Sequence, residues 1–158
     1  RRLRSCKLWL LSLVLLKHTL AVDREDMEYS DSALKHGENP IHVGELEESQ
    51  GHAFSENPIC GDTVEFWVNL DLQGKRVEEV VFKAFGCLAA TAASDVLCDL
   101  VKGKTVEEAA SIEEEQIVNA LGGLPAAKYH GASLAREAFL EALHQAEEVA
   151  ALEREIKS

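Results

Sequence analysis

Cysteine is scarce in this chain: the four present, Cys6, Cys60, Cys87 and Cys98, are too few and too scattered for the framework of a small disulfide-stapled domain. In a reducing compartment they are free thiols or metal ligands. Long apolar runs are missing as well. The run from Leu8 to Leu16 is about nine residues, against the ~20 that a membrane-spanning helix needs. There is no excess of positive charge either, since 16 Lys and Arg stand against 28 Asp and Glu, for a net charge of −12. The imbalance is uneven along the chain: Arg1, Arg2, Arg4, Lys7, Lys17 and Arg24 make the first 26 residues basic and leave the remainder more acidic still. An acidic body repels phosphate backbones and anionic lipid. This excludes nucleic acid and the membrane surface as partners for residues 27–158 and favours basic partner proteins. No internal repeat appears.

What is present is the material of a globular domain. The 158 residues are 46% hydrophobic and 28% charged, enough for one core and far from a disordered or fibrous composition. Residues 1–26 stand apart. A basic start, the short apolar run and Lys17-His18 have the outline of a secretory signal. Met27, the only methionine, stands just before the first segment with globular features. The expected organisation is therefore a disordered upstream or signal-like extension over 1–26 and one domain over 27–158. If the segment is a true signal, the cysteines face an oxidising exterior.

Ser30 to His36 has the pattern of a short helix with Ser30 or Asp31 as N-cap, stopped by Gly37 and Asn39-Pro40. An extended piece, Val43 to Leu46, follows. Residues 49–59, with Ser49, Gly51, Ser55, Asn57 and Pro58, read as a surface loop that delivers Cys60. Thr63 to Asp71 alternates with period two, setting Val64, Phe66, Val68 and Leu70 on one face and Glu65 and Asn69 on the other. Trp67 falls on the polar face, which implies cover by a helix or a partner. A turn at Leu72 to Lys75 leads into a returning strand, Arg76 to Phe85, with Val80, Phe82 and Ala84 on one face.

Cys87 then opens a helix that runs to about Lys102 and ends at Gly103. Thr105 with Glu108, and Ser111 with Glu114, have the spacing of capping boxes and predict two short helices. Gly122-Gly123-Leu124-Pro125 interrupts the pattern. A final amphipathic helix begins at Ala126 or Gly131 and reaches Glu155. The fold class is α+β: a small antiparallel sheet of about three strands covered by helices, with a long C-terminal helix.

The chemistry collects at one end of that sheet. Cys60 and Cys87 lie equally far from the Gln73-Gly74 turn, so an antiparallel hairpin brings Cys60-Gly61-Asp62 and Gly86-Cys87 to the same edge. The positive end of a helix dipole at Cys87 predicts a lowered thiol pKa, and Gly61 and Gly86 let backbone approach a bound ion closely. His130 is the natural further ligand. Soft thiolates beside a carboxylate and an imidazole suit zinc, copper(I) or an iron–sulfur unit. Cys98 lies three helical turns, about 16 Å, beyond Cys87 and reads as a packed apolar residue. His36 reads as structural, and His42, His52 and His144 as surface polar.

Five ordered blocks carry a family resemblance: Tyr29-Ser30-Asp31 with His36, Asn39-Pro40 and Val43-Gly44; Pro58-Ile59-Cys60-Gly61-Asp62; Phe82-Lys83-Ala84-Phe85-Gly86-Cys87; Val101-Lys102-Gly103-Lys104; and Leu124-Pro125-Ala126-Ala127-Lys128-Tyr129-His130. Together they resemble the NifU/IscU-type iron–sulfur cluster assembly scaffolds. The resemblance implies a non-enzymatic, cytoplasmic protein that binds iron, or zinc, and a nascent [2Fe-2S] cluster through Cys60, Asp62, Cys87 and His130. It implies a cysteine desulfurase as sulfur donor and recipient apo-proteins as acceptors. Leu124, Pro125 and Lys128 match a stretch that Hsp70-type chaperones bind in the family. The family's third cysteine, directly after the histidine, is Gly131 here. That departure implies weaker cluster binding, or a position left for water or a partner's ligand. It also sets the alternative, a degenerate homologue that binds zinc or no metal and regulates the assembly machinery. A persulfide carrier or zinc hydrolase ranks last, because the sequence offers no general base beyond Asp62 and Lys128.

Overall fold

The computed structural model describes residues 28–157, so the signal-like segment 1–26 and its Met27 boundary lie outside the described residues. Helix α1, Asp31–Glu38, is capped by the Ser30 hydroxyl, which accepts from the Ala33 N–H at 3.0 Å. It does not stop at Gly37. The missing Cβ there is what lets α1 lie on Leu88, whose Cγ is 2.5 Å from where that Cβ would be. The helix ends instead at Asn39, which the following Pro40 steers away from helical geometry.

Three strands, β1 Gly51–Glu56, β2 Thr63–Leu70 and β3 Val77–Phe85, form an antiparallel meander. Strand β1 lies inside the segment expected to be a loop. Its register with β2 explains it: Gly51 opposes Val68 and Ala53 opposes Phe66 on the inner face. Its buried side chains are so small that the alternation does not register as hydrophobic. The β2 pattern holds, with Val64, Phe66, Val68 and Leu70 buried. The predicted strand Val43 to Leu46 contracts to one bridge, Val43 to Phe82.

Helices α2 Leu88–Val101, α3 Val106–Ala110, α4 Glu114–Ala120 and α5 His130–Lys157 follow, with one turn of 3₁₀ helix at Ala126–Lys128 before α5. Helix α5 lies across β1 and β2, α2 packs on α5 and β3, and α1 closes on α2. The core centres on Phe66, Phe82 and Phe139, whose ring centroids are 5.8–5.9 Å apart around Phe66. Thr105 and Glu108 form their capping box. The second box is shifted to Glu113 and Gln116, because Ser111 ends α3 and donates its hydroxyl to the Glu108 carbonyl.

Trp67 on the outer face is covered by side chains of the neighbouring strands. The His52 ring stacks on it at 4.7 Å and the Lys83 ammonium sits 5.5 Å from its centroid. His52, exposed as a surface polar residue, also bonds Glu65 at 2.6 Å. His42 is partly buried, with its Nε2 2.7 Å from an Asp99 carboxylate oxygen. The structural reading of His36 stands, since its Nδ1 meets buried Asp95 at 2.7 Å. His144 is exposed on α5, 3.6 Å from Glu148.

Candidate metal centre

Three chain segments meet at the end of the sheet away from the β2–β3 turn: the β1–β2 loop, the β3–α2 junction and the start of α5. The first is shaped by Asn57. Its carbonyl accepts from Gly61 N–H at 2.8 Å, its N–H donates to the Asp62 carbonyl at 2.8 Å, and its side chain accepts from Ile59 N–H at 3.0 Å. Gly61, at φ +72°, turns the loop so that Cys60 is exposed while the Asp62 carboxylate points inward.

Asp62 is the hub. Only 5% exposed, it accepts the Cys87 N–H on Oδ1 at 3.1 Å, and its Oδ2 is 3.4 Å from His130 Nε2. The other side of Nε2 is 3.7 Å from Cys60 Sγ. His130 Nδ1 is 3.1 Å from the Ala127 carbonyl; in the tautomer that donates its ring proton there, Nε2 is free to ligate an ion. Donor atoms of Cys60, Asp62 and His130 all lie within 4.8 Å of one another. Metal bonds of about 2.0–2.3 Å in a tetrahedron place neighbouring ligand atoms roughly 3.3–3.8 Å apart. The 3.4 and 3.7 Å separations match those edges.

Cys87 stands beside this triad rather than within it. It is the N-cap of α2, and its N–H donates to Asp62 Oδ1 at 3.1 Å. Burial of Asp62 pushes its carboxyl up, but hydrogen bonds from the Cys87 and Cys60 thiols, the Cys87 N–H and His130 outweigh it and hold the pKa below the usual 3.8. The predicted lowering of the Cys87 pKa is reversed. Burial first, and then the hydrogen bond to the Asp62 carboxylate, raise it above 9.0 against the N–H groups of Ala90 and Ala89. The helix terminus is present, but a carboxylate occupies it. Cys98 is fully buried with its pKa well above 9.0, by burial and then by Asp95 and Asp99, as fits a packing thiol.

Tyr29 is a neighbour that the spacing did not bring into the site. Its pKa is raised by burial and then by the charges of Cys87 and Asp62, which places the phenol at this end of the molecule. The signal available was its position directly before the α1 N-cap. Leu124 and Pro125 are buried and Lys128 is half-buried, so of the chaperone-like stretch mainly Ala126, Ala127 and Tyr129 face solvent. Gly131 stands where the resemblance sets the family's third cysteine. It is buried, and a Cβ on it would lie 2.9 Å from Ala89 C and Ala90 N.

Comparison with known proteins places these features in company. The NifU-like N terminal domain family matches residues 28–151. The chain is 39% identical over 115 residues to the iron-sulfur cluster assembly scaffold protein IscU 1 of Archaeoglobus fulgidus, covering 73% of this chain and 74% of that protein. It is 40% identical over 119 residues to the IscU scaffold protein of Aquifex aeolicus, covering 75% and 73%. The solved N-terminal part of a NifU-like protein from Brucella abortus superposes with a TM-score of 0.61 at 21% identity, covering 78% of this chain and 96% of that one, and so shares the fold.

Proposed function

The chain belongs to the NifU-like N-terminal domain family, and we propose that it is an iron–sulfur cluster assembly scaffold whose cargo is held by Cys60, Asp62, Cys87 and His130. The observation that carries this reading is the convergence of Cys60, Asp62 and His130 at metal-ligand separations, with Cys87 hydrogen-bonded to their shared carboxylate. The mixed donor set suits a cargo that must leave. Thiolates favour iron–sulfur units, whereas a carboxylate and an imidazole exchange more readily than a full set of four cysteines. Asp62 plays two parts. Together with burial, which acts more strongly, it raises the Cys87 thiol pKa in the free protein, and it serves as a ligand to iron once that proton has left. Zinc suits the same donors.

Access fits the role of a scaffold. Cys60 is exposed, and each ligand-bearing segment carries an exposed apolar side chain beside it: Ile59, Phe85 and Tyr129. Such a rim suits partner proteins that bring sulfur, a cysteine desulfurase, or receive the cluster, apo-protein acceptors. The buried Leu124 and Pro125 require the loop at 122–129 to open before an Hsp70-type chaperone grips them. The function is carriage rather than catalysis, and its place is the cytoplasm; no helix among the described residues is long and apolar enough to cross a membrane. A transfer assay tests the reading. The cluster-loaded protein, mixed anaerobically with an apo-ferredoxin and re-isolated, gives up its visible absorption to the ferredoxin. A cluster retained through many such cycles would mark a storage or redox protein instead.

A further inference from the structure

Strand β1 is an edge of the sheet and pairs only with β2. Which of its backbone groups that pairing uses follows from its neighbours. Gly51 opposes Val68, Ala53 opposes Phe66 and Ser55 opposes Val64, and the ladder continues past the strand in the Asn57 N–H, which donates to the Asp62 carbonyl at 2.8 Å. Odd-numbered residues therefore turn their N–H and C=O groups to β2, and His52, Phe54 and Glu56 turn theirs outward. The His52 N–H obeys this parity by leaving the sheet for Gln145 Oε1 at 3.3 Å. Among the described residues no such bond reaches the Phe54 N–H. Sheet edges are ordinarily blunted by proline, lysine, a bulge or a covering segment. β1 has neither proline nor lysine, and its register with β2 is unbroken over 51–56.

A groove of about 370 Å³ runs beside this edge, between Phe54 and Ser55 and the face of α5 that carries Glu137, Leu140, Glu141 and His144. Phe54 is 57% exposed, and Leu140 is half-buried. The two carboxylates are held in place: the Ser55 hydroxyl donates to Glu137 at 3.1 Å and the Gln145 amide to Glu141 at 3.1 Å. Arg136, also in the lining, is engaged by the Ile112 carbonyl at 2.7 Å and by Glu113 at 3.9 Å. We propose that this edge docks an extended basic segment of a partner protein, which adds a fourth strand to the sheet. The residue opposite Phe54 exchanges backbone hydrogen bonds with it and lays an apolar side chain beside the Phe54 ring. The residues before and after it point into the groove, where a lysine stem lies on Leu140 and its ammonium reaches Glu137 and Glu141. Charge selects this occupant over a second copy, which would join two chains of net charge −12. The surface shares no residue with the rim of Ile59, Phe85 and Tyr129 and does not depend on what the metal centre holds.

The test uses the full metal-free chain and a capped heptapeptide that alternates lysine and valine, with lysine at both ends. Without peptide, the Phe54 amide is expected to exchange with deuterated solvent much faster than the Ala53 amide at every protein concentration. A protected Phe54 amide overturns the proposal: protection that grows with concentration would mark a second copy as the occupant, and protection independent of it a segment of the same chain. Peptide is expected to shift the amide resonances of residues 52–56 and 137–144 and to slow exchange at Phe54. N-methylation of the valines removes the N–H groups that face β1 and is expected to weaken binding at least about tenfold. N-methylation of the lysines, whose N–H groups face solvent, is expected to leave it largely intact. Glu141→Lys, at an exposed position, is expected to weaken the unmodified peptide about fivefold. No shift at Phe54 with the unmodified peptide, or an affinity unchanged in Glu141→Lys, overturns the proposal. Equal binding of the two N-methylated forms overturns it as well, and would mark a charge attraction without an added strand.

Discussion

Replacing Gly86 by alanine strikes the metal centre from the strand side, and its cost follows from two features of the structure. Gly86 has φ +148°, a region that residues with a Cβ rarely enter, at about 1–3 kcal/mol. A Cβ there would lie 2.2 Å from Asp62 Oδ1 and 2.5 Å from its Cγ, inside the space the buried carboxylate fills. Asp62 must withdraw, and the hydrogen bond it accepts from Cys87 N–H at 3.1 Å goes with it. A charge-assisted bond of this kind contributes about 1.5–3 kcal/mol. Taken together the loss is about 4 kcal/mol, and at about 2–4 °C per kcal/mol for a domain of this size Tm falls by about 8–16 °C. Gly103→Ala is the control. Gly103 has φ +78° but nothing within 4 Å of its Cβ position, so only backbone strain of about 1–2 kcal/mol applies. Thermal unfolding of the metal-free proteins followed by circular dichroism measures both. Equal losses in the two variants would refute the claim that Gly86 exists to seat Asp62.

Asp95, buried on α2, accepts from Ile41 N–H at 2.8 Å, His42 N–H at 2.9 Å and His36 at 2.7 Å, so it ties the segment after α1 to the body. Asp95→Ala is expected to cost about 2–4 kcal/mol and to speed limited proteolysis between residues 39 and 50; an unchanged cleavage pattern would contradict that role. Cys98 predicts a pH dependence. Its folded pKa is raised by burial, so the stabilisation is complete below the ordinary value of 9.0 and is lost as pH rises past it, where only the unfolded thiol ionises. Urea midpoints at about pH 7 and about pH 10 are expected to differ less in Cys98→Ala than in the parent, and an equal difference would place the alkaline loss elsewhere.

Much of this arrangement is legible in the sequence where one signal dominates. The β2 alternation from Val64 to Leu70, the capping box at Thr105 and the equal spacing of Cys60 and Cys87 about a turn each rest on a local rule, and each holds in the fold. The ordered blocks resembling the scaffold family agree with the family match over 28–151. The failures come where tertiary contacts override local preference. Strand β1 hides because Gly51 and Ala53 are buried by α5 and β2 without being large. Gly37 reads as a helix breaker, but it is a point where Leu88 comes too close for a Cβ. The Cys87 pKa goes up because the group nearest its thiol is a carboxylate, which no spacing rule places there.

The most direct test of the scaffold claim is anaerobic reconstitution of the full chain with iron, sulfide and thiol, followed by metal and sulfide analysis and a visible spectrum. The account predicts about two iron and two sulfide per site, the composition of one [2Fe-2S] cluster, and their loss in Cys60→Ala. Failure of the parent to retain iron, or retention undiminished in Cys60→Ala, would contradict it.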